Sequence, residues 1–225
     1  MLSEKELEAL RAIDSPTVSN AIEAFGVRDA TSGYASMDLR HLCPDSGVML
    51  GYALTCLSDT TSPAPRRPTK EAELFEALKA APKPAVLVIK DISSDRLRSC
   101  NAGDVLSSIL KRLGAVGLVT DGGVRDIGGI KQRVPNFHVY AAGLVVSHGI
   151  PTFVDIGGTV SICGLTIRPG DLLHGDENGL LVVPPEIVVQ IAEQSRRIHE
   201  KERNLLSFIN SDAFNLSELK NLMSK

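Results

Sequence analysis

Apolar positions recur at helical spacing through the first 26 residues. Leu7, Leu10 and Ile13 share one face of a helical pattern that follows an SEKE capping-box sequence. The next segment, SPTVSNAIEAFG, predicts a second helix with Ser15 as its N-cap and Gly26 at its end. We therefore expect two helices before the first strand.

Short apolar runs and helical patterns alternate over the next hundred residues. Three segments are typical of buried strands: GVMLGYALTCL, with the strand over about residues 48–57, AVLVIKD and AVGLVTD. Two segments predict helices: EAELFEALKA and VLSSILKRLG. Strands and helices in this alternating order are typical of an α/β domain. The segment TTSPAPRRPT interrupts the pattern with three prolines and predicts a mobile loop. Arg66 and Arg67 in this loop either close over an anionic substrate as a lid or are simply solvated.

The second half of the chain is predicted to form short helices and strands followed by one long helix. A short helix is expected over residues 127–133, then strands in FHVYAA, PTFVDI, VSICGLTI, DLLHGD and GLLVVP, with Asn178 and Gly179 forming a hairpin turn. PPEIVVQIAEQSRRIHEKERNLLSFI predicts a helix over about residues 185–209 that begins at the prolines. Because its middle is too hydrophilic for a core helix, we expect it to pack partly on a neighbouring subunit.

Composition narrows the classes of protein and partner. The 225 residues are expected to form one domain, 1–225, and the net charge of −3 does not favour nucleic acid or an anionic membrane as a partner. No apolar run approaches the ~20 residues that a membrane helix needs. Four scattered cysteines and a start without signal-peptide character predict buried free thiols and a cytoplasmic protein.

Candidate chemistry begins at NAGDVLSS, where Asp104 stands at the start of a predicted helix. In a structural interpretation, Asp104 is only the N-cap of that helix. In a functional interpretation, residues 101–105 form a loop whose amides receive a substrate carboxylate, while Asp104 handles a water or a metal. The segment alone leaves both interpretations open.

A second group of charges follows a predicted buried strand in LVTDGGVRD. Gly122 and Gly123 remove side chains where a backbone or ligand passes close. Arg125 can bind a carboxylate or enolate oxygen through two N–H groups, and Asp126 offers the oxygen ligand that Mg²⁺ or Mn²⁺ prefers. An isolated Arg-Asp pair is also a common surface ion pair, so a functional interpretation of Arg125 and Asp126 depends on Asp104 as well.

Twenty residues separate Asp104 from the Arg125-Asp126 pair, and this spacing resembles the signature of a known family. It is similar to the class II pyruvate aldolases of the 4-hydroxy-4-methyl-2-oxoglutarate type, also called RraA-like proteins. The resemblance spans roughly residues 15 to 205 and is strengthened by four further segments: SPTVSNAIEAFG, GYALTC, GLVTDGGVRD and GDLLHGDENGLLVVP. The resemblance implies a layered α/β/β/α sandwich of the swivelling-domain type, with a long C-terminal helix. It also implies homotrimers or homohexamers with active sites between subunits.

The resemblance assigns roles to individual residues. Asp126 would bind the divalent cation, Mg²⁺ or Mn²⁺, and Arg125 would hold the ketone oxygen of a pyruvyl group. The substrate carboxylate would lie against the backbone of Gly103, Asp104, Val105 and Leu106. Asp104 would also orient or deprotonate a water on the metal.

A glutamate from the C-terminal helix of the neighbouring subunit is implied as well. Glu200 is the candidate, with Glu202 behind it. Among the histidines, His148 is the one that could enter a site, while the other four are expected to be structural or on the surface.

The implied activity is cleavage of 4-hydroxy-4-methyl-2-oxoglutarate or a related 4-hydroxy-2-oxo acid to pyruvate. Loss of CO₂ from oxaloacetate produces the same enolate, so oxaloacetate decarboxylation is implied too. Two alternatives remain: a regulator that binds and inhibits a ribonuclease, and a family member whose true substrate is another 2-oxo acid. Asp104, Asp121 and Glu200 together favour catalysis.

Overall fold

The computed structural model describes residues 1–65 and 67–223, so Arg66 lies outside the described residues. The helices of this part of the chain fall mainly where the apolar periodicity predicts them. They are α1 (Glu4–Arg11), α2 (Ser15–Phe25), α3 (Glu71–Ala80), α4 (Asp104–Arg112), α5 (Ile127–Arg133), α6 (Ile191–Ile209) and α7 (Leu216–Met223).

The strands include several two- and three-residue segments that sequence periodicity does not predict. They are β1 (Arg40–His41), β2 (Met49–Asp59), β3 (Ala85–Asp91), β4 (Cys100–Ala102), β5 (Ala115–Thr120), β6 (Gly123–Val124), β7 (His138–Ala141), β8 (Gly143–Leu144), β9 (Thr152–Ile156), β10 (Val160–Ile162), β11 (Leu165–Ile167), β12 (Leu172–Asp176) and β13 (Gly179–Val183).

The largest sheet has eight strands and a parallel centre. Its order is β1-β7-β5-β3-β2-β12-β13, with β9 also paired to β2. Strands β2, β3, β5 and β7 run parallel to one another, and the remaining strands join antiparallel. A parallel sheet is normally covered on both faces, which accounts for the continuous apolar runs of its central strands.

Strand β3 shows how the two faces are filled. Leu87 and Ile89 pack with α3, α4 and α5, whereas Val86 and Val88 point the other way and meet the β10–β11 hairpin. All four side chains are fully buried. Helices α1, α2 and α6 cover the end of the sheet near β12 and β13. The predicted layered α/β class is confirmed.

A separate three-stranded sheet, β4-β6-β8, is parallel and stands beside the large one. Its strands are too short for periodicity to reveal, because two or three residues do not complete an alternating pattern. This small sheet is the element that brings the chemistry-bearing segments together.

The N-cap of α2 is Asp14, so the prediction that Ser15 caps this helix is wrong. The Asp14 carboxylate accepts a hydrogen bond of 2.7 Å from the Thr17 N–H. Ser15 is instead the first helical residue, and its hydroxyl lies 3.0 Å from Nδ1 of buried His174. The capping box of α1 and the left-handed Gly26 that ends α2 are as predicted.

The long C-terminal helix α6 begins at Ile191 rather than near residue 185. Residues 185–190 form turns, in which the Ile187 N–H bonds the Pro184 carbonyl at 3.4 Å. Proline has no N–H to give to a helix, and the residue before a proline avoids helical geometry. Pro184 is therefore held out of helical geometry, and the turns at residues 185–190 separate the prolines from α6. The short α7 beyond α6 was not predicted.

Two hairpins differ in detail from the sequence-based prediction. VSICGLTI forms two strands that turn at Cys163 and Gly164, both with positive φ. The β12–β13 hairpin closes across Asp176 and Gly179, so its two turn residues are Glu177 and Asn178. The paired positive φ of Cys163 and Gly164 matches the twist of the flanking strands, whereas Glu177 and Asn178 do not have positive φ.

The cysteines are free thiols, and three of the four are buried. Cys163 is only half-buried because it occupies the β10–β11 turn. None of the helices formed by the described residues combines the length and apolar character that crossing a bilayer requires.

Candidate active site

An open cleft of about 220 Å³ lies where the small sheet meets α4 and β9. The residues that the family resemblance assigned to one chain's own part of the site all line it: Gly103, Asp104, Val105, Leu106, Arg125 and Asp126. Its walls are formed by Glu71, Cys100, Asn101, Ala102, Gly103, Asp104, Val105, Leu106, Ile109, Arg125, Asp126, His148, Pro151 and Phe153.

Parallel pairing of β4 with β6 explains why Asp104 and the Arg125-Asp126 pair meet. Ala102 pairs with Val124, and the Arg125 N–H donates to the Ala102 carbonyl at 3.0 Å. The two strands therefore end side by side. The residues that follow each strand emerge together although twenty residues separate them in the chain.

Asp104 is the first residue of α4, and Gly103 is its N-cap, so the structural interpretation of Asp104 as the N-cap is wrong. Gly103 has no side chain to cap the helix, and first-turn N–H groups have no partner within the helix. Together with the positive end of the helix dipole, these N–H groups favour an anion. Here the backbone N–H groups belong to Asp104, Val105 and Leu106, the residues expected to receive a carboxylate.

Arg133 of α5 forms an ion pair with the Asp104 carboxylate, a contact that the sequence did not reveal. The pair orients Asp104, which is largely covered, beside the start of α4. Gly129 makes room for it, since a Cβ there would lie 3.0 Å from Asp104 Oδ2. A sequence signal for close packing was present in the glycine pair of IGGIKQR, which is unusual inside a helix, but the sequence analysis did not use it.

Arg125 and Asp126 form a partly exposed ion pair, with Nε and Oδ2 3.1 Å apart. Asp126 has φ of 57°, in the left-handed region that non-glycine residues seldom occupy. Backbone conformations of this kind cost free energy and concentrate at functional sites. The conformation places Asp126 directly before α5, with its side chain beside Gly103.

The residues around Asp126 fit a hard divalent cation. A Cβ on Gly103 would lie 2.9 Å from Asp126 Oδ2, so the glycine keeps open the space beside that carboxylate oxygen. Among the described residues, no three His, Cys, Asp or Glu side chains cluster as a metal site. Mg²⁺ usually keeps several waters and binds through one or two carboxylates, so a site centred on Asp126 suits it.

Asp121 lies behind the cleft rather than in it. Its buried carboxylate pairs with Lys90 and accepts the Asp91 N–H at 2.9 Å. Asn101 adds to this network, because its Nδ2 donates to Asp91 Oδ2 at 2.7 Å and to Thr120 Oγ1 at 3.0 Å. The network joins the ends of β3, β4 and β5, so Asp121 supports the small sheet structurally.

Gly122 follows Asp121 and is required by close packing. A Cβ there would collide with the Asn101 amide and lie 2.7 Å from Asp91 Oδ2. The two glycines of DGGVRD therefore let the chain turn tightly past a polar network before it reaches Arg125.

Other predicted residues lie in different places. His148 lines the cleft, as the sequence allowed. Glu200 and Glu202 are exposed on α6, and neither lines the cleft of its own chain. Arg67 is exposed, and the lid prediction for Arg66 lies outside the described residues. Sequence analysis did not single out Glu71 and Phe153, which come to the cleft from α3 and β9.

The fold and this cleft define a layered α/β protein with an Arg-Asp pair beside a helix N-terminus. The sequence signature of the RraA-like family, described as Aldolase/RraA, matches residues 15–182. The chain belongs to the RraA-like family.

Individual relatives agree with this assignment. A protein of Halalkalibacterium halodurans, provisionally named a 4-hydroxy-4-methyl-2-oxoglutarate aldolase, is 33% identical over 128 residues, which cover 55% of this chain and 60% of that protein. The chain covers less than two thirds of the length of the curated relatives that it matches.

Solved structures share the fold at low identity. An uncharacterized protein of Pseudomonas syringae pv. tomato has a TM-score of 0.74 at 21% identity, covering 100% of this chain and 95% of that one. RraAS2 of Streptomyces coelicolor, titled an unusual member of the RNase ES inhibitor RraA protein family, has a TM-score of 0.67 at 22% identity, covering 90% of this chain and 97% of that one. Likenesses at this identity show the fold alone.

Proposed function

We propose that this protein is a divalent-metal-dependent class II pyruvate aldolase that cleaves 4-hydroxy-2-oxo acids, among them 4-hydroxy-4-methyl-2-oxoglutarate. One observation carries the proposal: the Arg125–Asp126 pair and the uncapped start of α4 face the same cleft. A cation at Asp126, a guanidinium and a set of free N–H groups are the partners that a pyruvyl group requires.

Retro-aldol cleavage breaks the bond between C3 and C4 of the substrate. The 4-hydroxyl loses its proton, its oxygen becomes the carbonyl of the second product, and the electron pair of the broken bond passes to the enolate of pyruvate. Protonation at C3 then completes pyruvate. Fixed positive groups stabilise the negative charge that develops on the enolate oxygen.

Each residue of the cleft has a role in this reaction. The N–H groups of Asp104, Val105 and Leu106 bind the substrate carboxylate, and Arg125 binds the oxygen on which charge develops. Asp104, held by Arg133, is the carboxylate that takes up and returns the proton. A divalent cation held by Asp126 would supply Lewis-acid stabilisation of the same charge.

The same arrangement supports oxaloacetate decarboxylation. Loss of CO₂ breaks a different bond but leaves the same pyruvate enolate, so Arg125 and the α4 N–H groups act unchanged. The provisional aldolase name of the Halalkalibacterium relative supports the lyase class. Four free thiols support a reducing compartment such as the cytoplasm.

A coupled assay tests the proposal directly. Purified protein with Mg²⁺ or Mn²⁺ should release pyruvate from 4-hydroxy-4-methyl-2-oxoglutarate, 4-carboxy-4-hydroxy-2-oxoadipate or another 4-hydroxy-2-oxo acid, detected by lactate dehydrogenase. A chelator should abolish release, and added Mg²⁺ should restore it. Folded protein that releases no pyruvate and inhibits a ribonuclease would contradict the aldolase and support a regulator.

A further inference from the structure

The start of α4 carries a carboxylate of its own, although the proposed substrate brings another carboxylate to the same place. Asp104 is the first residue of α4 and lines the cleft. An uncompensated carboxylate beside a bound anion repels it, so the charge of Asp104 works against substrate binding. Arg125, the guanidinium that lines the cleft, is paired with Asp126. The cation that compensates Asp104 therefore has to come from outside the cleft lining.

Arg133, the last residue of α5, supplies this cation. It forms the ion pair with Asp104, whose side chain is only 19% exposed. Gly129, one turn earlier on α5, leaves the space for the pair, because a Cβ there would lie 2.8 Å from Arg133 Nη1 and 3.0 Å from Asp104 Oδ2. Ile130 and Leu110 are fully buried in one cluster, where α5 packs against α4. The packing of the two helices thus fixes the ion pair.

The N–H groups at the start of α4 have no acceptor among the described residues. The first N–H of this helix with a partner is that of Ser107, which donates to the Gly103 carbonyl at 3.0 Å. The three preceding N–H groups, those of residues 104–106, are open to an anion. Aspartate side chains readily accept hydrogen bonds from N–H groups close to them in sequence. In this structure, however, the Asp104 carboxylate is paired with Arg133.

We propose that Arg133 is a positioning residue for substrate binding, which draws the Asp104 carboxylate towards α5 and leaves the first N–H groups of α4 free for the carboxylate of a 2-oxo acid. The inference rests on the proposed function and adds the residue that makes its anion site available. Without the guanidinium, the Asp104 carboxylate would turn to the positive end of the α4 dipole. There it would occupy the same N–H groups and repel a second carboxylate. Arg133 therefore acts on the substrate through Asp104.

Arg133 also has an ordinary structural explanation, because a basic residue in the last turn of a helix complements its dipole. Lys131 stands in the same last turn of α5, lies 3.6 Å from the Asp45 carboxylate, and does not line the cleft. Lys131→Met removes a dipole-complementing charge and an ion pair from α5 without changing the partner of Asp104. It is therefore the matched control for Arg133→Met.

The experiment measures the dissociation constant of pyruvate in the presence of Mg²⁺ by calorimetry or NMR titration. Arg133→Met should weaken pyruvate binding roughly fivefold or more, because the freed Asp104 carboxylate competes with pyruvate for the N–H groups. Arg133→Lys should recover part of the affinity, because lysine keeps the charge but not the paired donors. Lys131→Met should bind pyruvate as the parent does, and melting temperatures should confirm that all variants are folded.

A double variant separates positioning from a general electrostatic effect. A positive charge near the cleft attracts pyruvate whether or not Asp104 is present, whereas a positioning residue acts only through Asp104. Arg133→Met should therefore leave pyruvate binding unchanged in an Asp104→Ala background. This cycle compares binding alone, so the loss of turnover expected for Asp104→Ala does not enter it.

Binding and turnover together keep this inference distinct from the proposed function. If the parent binds pyruvate but cleaves no 4-hydroxy-2-oxo acid, the aldolase proposal fails, and the binding cycle still decides the role of Arg133. Four results would overturn the inference: no binding of pyruvate by the parent, unchanged binding by Arg133→Met, an equal loss in Lys131→Met, or a loss that persists in the Asp104→Ala background.

Discussion

At the scale of single residues, Asp126 combines a left-handed backbone, an ion pair with Arg125 and a position two residues after the end of β6. The ion pair joins a cation to an anion, yet the two side chains have different tasks in the proposed reaction. Asp126 offers oxygen atoms to a metal, whereas Arg125 stabilises charge on the substrate. Substitutions at the two residues should therefore impair different properties of the protein: metal binding at Asp126 and transition-state stabilisation at Arg125.

Asp126→Asn should weaken divalent-cation binding and lower turnover together. Asparagine tolerates the left-handed conformation, so the backbone should be retained while the anionic ligand is lost.

Arg125→Ala should keep metal binding yet lose on the order of 3 kcal/mol of transition-state stabilisation, a hundredfold or more in turnover. Arg125→Lys should recover only part of this, because an ammonium does not reproduce the paired donors of a guanidinium.

Mn²⁺ titration and pyruvate release on the same preparations check these outcomes. Mn²⁺ binding by Asp126→Asn as tight as that of the parent, or full turnover by Arg125→Ala, would show that the site is assigned wrongly.

At the scale of elements, the edge formed by β1 and β7 carries a stack of rings. The His41 ring lies 4.3 Å from the Tyr140 ring and 5.4 Å from the His138 ring, measured between centroids. His138 is only 5% exposed, and its Nδ1 has no hydrogen-bond partner among the described residues. Burial lowers the pKa of His138 to about 3 and that of His41 to about 4. This edge therefore holds both imidazoles in their neutral form.

The free energy of unfolding should fall as the pH drops below about 6.5, the pKa of histidine in an unfolded chain. The unfolded state binds the proton first, because the folded state binds it only near pH 3 to 4. His138 alone should remove up to about 2 kcal/mol between pH 7 and pH 5. His138→Phe keeps an aromatic ring and cannot be protonated, so it should flatten this dependence.

Urea denaturation at pH 7 and pH 5 measures the effect. The slope of the unfolding free energy with urea should be the same in parent and variant, which shows that both expose similar surface. An equal loss of stability on acidification in the two proteins would contradict the role given to His138.

At the scale of the whole molecule, large apolar side chains are exposed around the cleft. They are Val105, Leu144, Val146 and Ile150. Leu144 and Val146 also line a second depression that shares Arg125 and Asp126 with the cleft. Val146 is 97% exposed in the isolated chain. Clustered apolar side chains of this kind mark contact surfaces, as the predicted subunit interface requires, and the number of subunits stays a prediction from the family resemblance.

Light scattering at micromolar concentration should show a trimer or a hexamer. Val146→Asp should break the assembly and reduce turnover, because a buried, unpaired carboxylate is costly. Met37→Asp is the matched control, since Met37 is 93% exposed and lines neither depression. A parent protein that remains monomeric would contradict both the assembly and the shared site.

Glu200 belongs to the same prediction. If it enters the cleft of a neighbouring subunit from α6, Glu200→Gln should lower turnover while assembly and melting temperature stay nearly unchanged. A structure of the assembly with Glu200 far from every Asp126 would remove it from the mechanism.

Much of the secondary structure could be predicted from the sequence because it depends on residues near one another in the chain. Helices α1, α3 and α4 and strands β3 and β5 follow from apolar periodicity, since helical hydrogen bonds and strand alternation repeat over a few residues. The spacing of Asp104 from Arg125 and Asp126 resembles a family signature, and this resemblance grouped residues that the structure places in one cleft.

The tertiary structure decided which residues meet. Parallel pairing of the short strands β4 and β6 places Asp104 beside Arg125, and the packing of α5 on α4 gives Asp104 its partner Arg133. Glu71 and Phe153 enter the cleft only because α3 and β9 are joined by backbone hydrogen bonds. Such contacts join residues 21 (Asp104 and Arg125) to 83 (Lys70 and Phe153) positions apart, so no local pattern encodes them. The sequence by itself determined the longer helices and strands and, through the family resemblance, the residues proposed for the site, whereas the tertiary structure alone decided the short strands of the small sheet and the walls of the cleft.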